Sequence, residues 1–155
     1  MKLPGEYIAG FIDGEGCFTI VISKHKTKRL GVDARLHFQI EVRDDDQEIL
    51  EYIQETLDCG RIYHLSYERY GWNPHVELKV SSFEEITGKL IPFLKKHPLR
   101  AKKRFSYQYF LLAVKVFKEK RHLTLEGIQE LREIRTKMNQ YSKKSSNVGQ
   151  GTGKP

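Results

Sequence analysis

Residues 7 to 16 read YIAGFIDGEG, an apolar run that stops in two acids, Asp13 and Glu15, each followed by a glycine. Ile8, Ala9, Phe11 and Ile12 have the spacing of a helix, and Gly14 and Gly16 mark its end. A helix C-terminus carries partial negative charge, so an acid there costs roughly a few tenths of a kcal/mol or more. Lysine or arginine would serve stability better. A local rule broken without visible gain points to a functional site. The plain alternative is that Asp-Gly and Glu-Gly pairs mark a tight turn. Cys17 and Cys59 lie far apart with no CxxC pair, which argues against a zinc site and a secreted disulfide scaffold. Both read as small buried or half-buried residues.

The elements that must position these acids belong to a chain of 155 residues, a length that fits one domain. Its 39% hydrophobic and 11% aromatic content is that of a folded protein. The net charge of +7 points to a polyanionic partner, and nucleic acid fits best. From Lys95 to Lys144 there are 15 Lys/Arg against 4 Asp/Glu, leaving 12 against 16 elsewhere. A basic C-terminal third on a mildly acidic body suggests directed phosphate contact; solvated helix faces are the alternative. No stretch has the length of a membrane span and the N-terminus lacks a signal-peptide pattern, so an intracellular protein is expected.

Pro4 suits the first turn of a helix reaching Asp13. CFTIVISK (17–24) places Phe18, Ile20 and Ile22 on one face. HKTKRLGVD (25–33) reads as a basic loop without a rigid frame. In ARLHFQIEVR (34–43), Leu36, Phe38, Ile40 and Val42 alternate with Arg35, His37, Gln39, Glu41 and Arg43, the period of a strand with one wet face. A helix over 44–60, strands over 61–70 and 75–82, and a helix over 83–96 interrupted near Pro92 follow. Two more helices span 100–120 and 123–139, the second with Thr124 as its N-cap. The polar tail, 141–155, reads as disordered, with a single domain over 1–140. The order predicts an α+β fold, αββαββα, with helices covering one face of a curved four-stranded antiparallel sheet. The other face carries Arg35, His37, Gln39, Glu41, Arg61, Tyr63, Tyr67, His75, Glu77 and Lys79. Alternating donors and acceptors of this kind suit base edges in a major groove, and equally suit water.

IAGFIDGEG (8–16) resembles the LAGLIDADG motif of homing endonucleases, matching in the Ala-Gly pair, in Asp13 and in the final acid-Gly pair. The FQIEVRDDD, HPLRAKK and HLTLEGIQEL segments extend the resemblance over nearly the whole chain except the tail. It implies site-specific cleavage of double-stranded DNA by a protein encoded in an intron or intein, in a prokaryotic cytoplasm or nucleoid or in an organelle. One motif per chain implies a homodimer, since LTLEGIQEL (123–131) lacks the acidic ending of a second copy.

The resemblance also implies roles. The motif helices of two subunits pack side by side, with Ala9 and Gly10 permitting close approach and Asp13 capping the helix end. Glu15, with the Gly14 carbonyl, is the acid that holds a divalent cation, and hard oxygen ligands favour Mg²⁺. Lys103, or Lys102, supplies the catalytic lysine, with Arg100 as a phosphate contact. The polar residue at the end of the second strand falls near Glu41, Val42 or Arg43. Lys24, Lys26, Lys28, Arg29 and Arg43 join the sheet face as DNA contacts. Histidines 25, 64, 97 and 122 lack the mutual spacing of a metal centre. Two rivals share the fold: a maturase acting on its intron RNA, and a DNA-binding regulator that no longer cleaves.

Overall fold

In the computed structural model, which describes residues 1–141, Pro4 sits at the N-cap of α1 (Gly5–Glu15). Its missing N–H costs nothing there. Gly14 lies inside the helix rather than ending it, and the chain passes from Glu15 directly into β1 (Gly16–Lys24). Gly16 has an extended φ of −72° and so is not a left-handed cap. Space demands the glycine: a Cβ there would lie 2.8 Å from the Ile12 side chain and 3.1 Å from Phe38.

β2 (Val32–Arg43) keeps the expected alternation, with Leu36, Phe38 and Ile40 buried and His37, Gln39 and Glu41 half-buried. A 3₁₀ turn at Asp44–Asp46 leads into α2 (Gln47–Leu57), which buries Leu50, Ile53 and Leu57. The helix stops through Asp58, whose φ is 58°, two residues before the expected Gly60. β3 (Arg61–Leu65) and β4 (His75–Val80) complete a sheet in the order β1-β2-β4-β3. β4 pairs antiparallel with both β2 and β3.

β3 is half its expected length. The chain leaves the sheet at Ser66 and forms a 3₁₀ turn at Glu68–Tyr70, closed by Gly71 at a φ of 73°. After β4, a helical run begins with α3 (Phe83–Glu85), widens into a π-turn over Ile86–Leu90 and resumes as α4 (Ile91–Lys96). Pro92 explains the widening. It donates no hydrogen bond and its ring collides with the carbonyl one turn back in a regular α-helix. α5 (Lys103–Lys118) and α6 (Leu125–Asn139) follow, and the Thr124 hydroxyl accepts from Gly127 N–H at 3.0 Å as the expected N-cap.

The described chain divides into two compact units: Met1–Cys17 with Phe38–Ala101, and Phe18–His37 with the chain from Lys102 onward. The first has a core of Ile8, Ile12, Phe38, Ile40, Ile53 and Leu78, all at 0% exposure. In the second, Phe18 of β1 packs on Tyr107 and Phe110 of α5, with ring centroids 5.2 and 5.1 Å away. Cys59 is buried, but Cys17 is exposed, because it occupies the outer face of β1 opposite Phe18. Tyr141, expected in the tail, lies 5.2 Å from the Phe105 ring and 6.1 Å from that of Tyr109. The rest of the expected tail, 142–155, falls outside the described residues. No helix among the described residues is long and apolar enough to cross a membrane.

Candidate active site and nucleic-acid interface

α1 delivers Glu15 to its last position, where both Glu15 and Gly14 are exposed. The last turn holds no basic residue, so the Glu15 carboxylate adds to the negative end of the helix dipole. Asp13 has a different task from the expected cap. Its Oδ2 accepts a hydrogen bond from Arg100 N–H at 2.8 Å, tying α1 to the segment 97–101. Asp13 Oδ1 is buried without a hydrogen-bond partner among the described residues.

The small residues of α1 separate by face. Ala9 is 3% exposed and packs into the core, which corrects its expected place in a helix pair. Gly10 and Gly14 are exposed one turn apart, and a Cβ on either would meet nothing within 4 Å. Tyr7 and Phe11 flank them with stacked rings 6.4 Å apart, so the outward face of α1 is small and apolar. As oxygen donors, the Glu15 carboxylate and the Gly14 carbonyl fit a hard divalent cation. Among the described residues no group of three or more His, Cys, Asp or Glu forms a closed metal site. The donor set therefore suits an ion completed by further oxygens, such as those of phosphate.

Lys102 and Lys103 stand at the N-cap and first position of α5, whose first turn has no acid. A cation at the positive end of a helix is as poorly placed for stability as Glu15 is at the negative end of α1. These lysines and Glu15 belong to different compact units.

Within the first unit, strand register arranges the polar sheet face in rows. Gln39, Lys79 and Arg61 form one row; Glu41, Glu77 and Tyr63 the next; Arg43 and His75 a third. Arg61 and Tyr63 are exposed and His75 is half-buried. Three of the expected contacts are engaged within the chain. Glu77 lies on the outer face as its period requires, but it is only 7% exposed, with Lys79 Nζ 3.7 Å from its carboxylate. Arg43 is exposed but engaged with Asp45 at 3.1 Å. Tyr67 is outside the sheet: the chain folds back so that its hydroxyl donates to Glu41 Oε2 at 3.0 Å. Burial first, then the bond to Glu41, pushes the Tyr67 phenol up to about 12.

In the second unit Lys24, Lys26, Lys28, Arg29 and Arg35 are exposed and His37 is half-buried. Their loop does have a frame. His25 N–H bonds Gly31 O at 2.9 Å, Gly31 N–H bonds Lys28 O at 2.9 Å, and Gly31 adopts a φ of 74°. Asp33 accepts from Arg35 at 2.8 Å and lies 3.7 Å from Lys28 Nζ. The Arg35 hydrogen bond, against some burial, holds the Asp33 carboxyl below the usual carboxylate range. A cavity of about 420 Å³ beside this loop is lined by Lys28, Arg29, Asp33 and His122 among others. Burial lowers the His122 pKa, and its ring stacks on Phe117 at 4.2 Å. Asp33 and Tyr67 act through partners that charge counts and periodicity do not reveal.

These features have parallels among known proteins. Residues 8–114 match the family model described as LAGLIDADG endonuclease. The chain is 34% identical over 131 residues to probable intron-encoded endonuclease 3 of Neurospora crassa, covering 84% of this chain and 24% of that protein. It is 31% identical over 137 residues to probable intron-encoded endonuclease 2 of the same fungus, covering 88% and 29% respectively. It thus spans about a quarter of the length of these relatives. Among solved structures, the I-LtrWI LAGLIDADG homing endonuclease bound to target DNA superposes with a TM-score of 0.82 at 35% identity, over 90% of this chain and 45% of that one. The homing endonuclease I-TnaI superposes with a TM-score of 0.81 at 28% identity, over 90% of both chains. The match begins at the apolar helix and includes its acidic ending, the same stretch that sets Glu15 against its own helix dipole: the chain belongs to the LAGLIDADG endonuclease family.

Proposed function

We propose that this chain is a site-specific endonuclease that hydrolyses double-stranded DNA as a two-fold homodimer, with Mg²⁺ or another divalent cation held by Glu15 and the Gly14 carbonyl. The observation that carries this reading is the exposed Glu15 at the end of α1, beside an outward helix face of Tyr7, Gly10, Phe11 and Gly14 that has room for a second helix. Pairing that face with its two-fold mate brings two Glu15 carboxylates together, an arrangement that needs cations to be tolerable. Bound there, the cation would activate water and stabilise the leaving oxygen of an in-line displacement at phosphorus.

The chain's own groups do the rest. Glu15 orients the oxygen ligands, and Lys103, with Lys102 beside it in sequence, supplies positive charge for the phosphate and its water. The polar sheet rows read base edges, while Lys24, Lys26, Lys28, Arg29 and Arg35 hold the backbone. The likeness to a family member bound to target DNA supports duplex DNA as the substrate. The test is incubation of the purified chain with a library of randomised duplexes and Mg²⁺, with capture of double-strand breaks and sedimentation of the protein–DNA complex. The reading expects breaks at one two-fold-related consensus, made by a complex holding two chains. Absence of cleavage at any sequence, or an active complex holding one chain, would overturn it.

A further inference from the structure

Glu41 and Glu77 face each other directly across β2 and β4, in the middle of the polar sheet face. Like charges opposite one another weaken a strand pair, so a sheet built for stability alone would place a neutral residue at one position. Each acid is instead fixed by a neighbour. The Tyr67 hydroxyl donates to Glu41 Oε2 at 3.0 Å, and Lys79 Nζ stands 3.7 Å from Glu77 Oε1. Tyr67 is itself wedged among rings, 5.0 Å from His75 and 5.5 Å from Trp72. The Lys79 ammonium also lies 5.8 Å from the centroid of the Tyr63 ring. The Tyr67 phenol, like any tyrosine, is protonated and a donor in the neutral range, and burial and the Glu41 bond raise its pKa further.

Register makes Glu41 and Lys79 diagonal neighbours on one face, since Glu41 pairs with Glu77 and Lys79 follows two residues on. An acceptor arm and a donor arm thus stand side by side, each held by a group that is not itself the arm's target. In the major groove a C·G pair offers the matching pattern: a donor, N4–H₂, on cytosine, and the acceptors O6 and N7 on guanine. Thymine and guanine present acceptors to a carboxylate, and adenine sets N7 beside its amino group. Only cytosine presents a donor without a neighbouring acceptor on its own edge.

We propose that Glu41 and Lys79 together read one C·G base pair in each half of the target, Glu41 accepting from cytosine N4 and Lys79 donating to guanine, with Tyr67 and Glu77 as the residues that position them. This rests on the reading of the chain as a sequence-specific DNA binder and names the base pair which that reading leaves open.

The experiment is a binding selection over randomised duplexes with the full chain, comparing wild type with Glu41→Gln and Tyr67→Phe and recording the melting temperature of each. Wild type is expected to require cytosine at one position per half-site by about tenfold over other bases. Glu41→Gln should move that position toward adenine, whose N6 and N7 suit an amide, and leave the remaining positions unchanged. Tyr67→Phe should flatten the cytosine preference at the same position without choosing another base. Its melting temperature should stay within a few degrees of wild type, which separates positioning from support of the fold. A wild-type consensus that survives Glu41→Gln intact overturns this proposal while leaving the endonuclease reading in place. A wild-type chain that selects no duplex sequence overturns both.

Discussion

The Arg100 amide donates to the Asp13 carboxylate at 2.8 Å across 87 residues of sequence, so the acid that looks like a helix cap is a tether. The bond is exposed, so water can replace a lost partner, and removing it costs about 0.5–1.5 kcal/mol. Asp13→Ala should lower the unfolding free energy by that amount, and Asp13→Asn, which keeps an acceptor, should recover at least half. Urea unfolding of the two variants checks this, and an alanine variant as stable as wild type contradicts it.

Two helical glycines should respond to alanine with opposite signs. Gly10 faces open space, so Gly10→Ala should raise the stability of the unassociated chain by about 0.5–1 kcal/mol through helix propensity. A Cβ on Gly127 would run into the backbone carbonyl of Arg121, and Gly127→Ala should cost about 1–3 kcal/mol. Gly10→Leu should preserve the fold yet abolish assembly on DNA. Thermal melts at low protein concentration and sedimentation separate the two effects.

Asp33 supplies an acid-sensitive contribution. Its folded-state pKa is depressed by Arg35 first, with Lys28 assisting. A depressed carboxylate stabilises the fold above its unfolded pKa and loses that contribution as pH falls through the folded value. The stability gap between wild type and Asp33→Asn should therefore be full at neutral pH and shrink through the acid range. Chemical unfolding at a series of pH values measures it, and a gap that widens in acid contradicts the assignment.

Base reading and phosphate binding should separate between sheet and loop. Gln39 is half-buried in a rigid row with Lys79 and Arg61, so Gln39→Ala should change base preference at a few positions by about 1–3 kcal/mol. Exposed Lys26 should hold phosphate, and Lys26→Ala should weaken all sequences alike and reduce the salt slope by about one per chain, about two for the dimer. A binding selection combined with a salt titration decides between these effects.

Legibility followed the range of the forces involved. The alternation in β2, the Thr124 cap and the break before Pro92 are set within a turn or a strand, and all are plain in the sequence. The apolar helix with its acidic ending was equally plain, because its charge conflict is local. Long-range contacts were not. RIYHLSYERY reads as a continuous strand, but Tyr67 leaves it for contacts with Glu41, Trp72 and His75, which no period encodes. Alternation placed Glu77 on the outer face but could not give its depth, which depends on the neighbouring strands. Ala9 and Gly10 are adjacent small residues, and only the fold decides which one faces inward.

Glu15→Gln, assayed for cleavage and binding on the same duplex with Mg²⁺, is the most direct test of the proposed chemistry. The substitution removes a ligand charge at the end of α1 and almost no volume, and Glu15 is exposed, so the fold should be unaffected. Cleavage should fall below detection while affinity for the target stays at or above the wild-type level, because carboxylate–phosphate repulsion is reduced. A Glu15→Gln chain that cuts its target at near the wild-type rate would contradict the role assigned to Glu15.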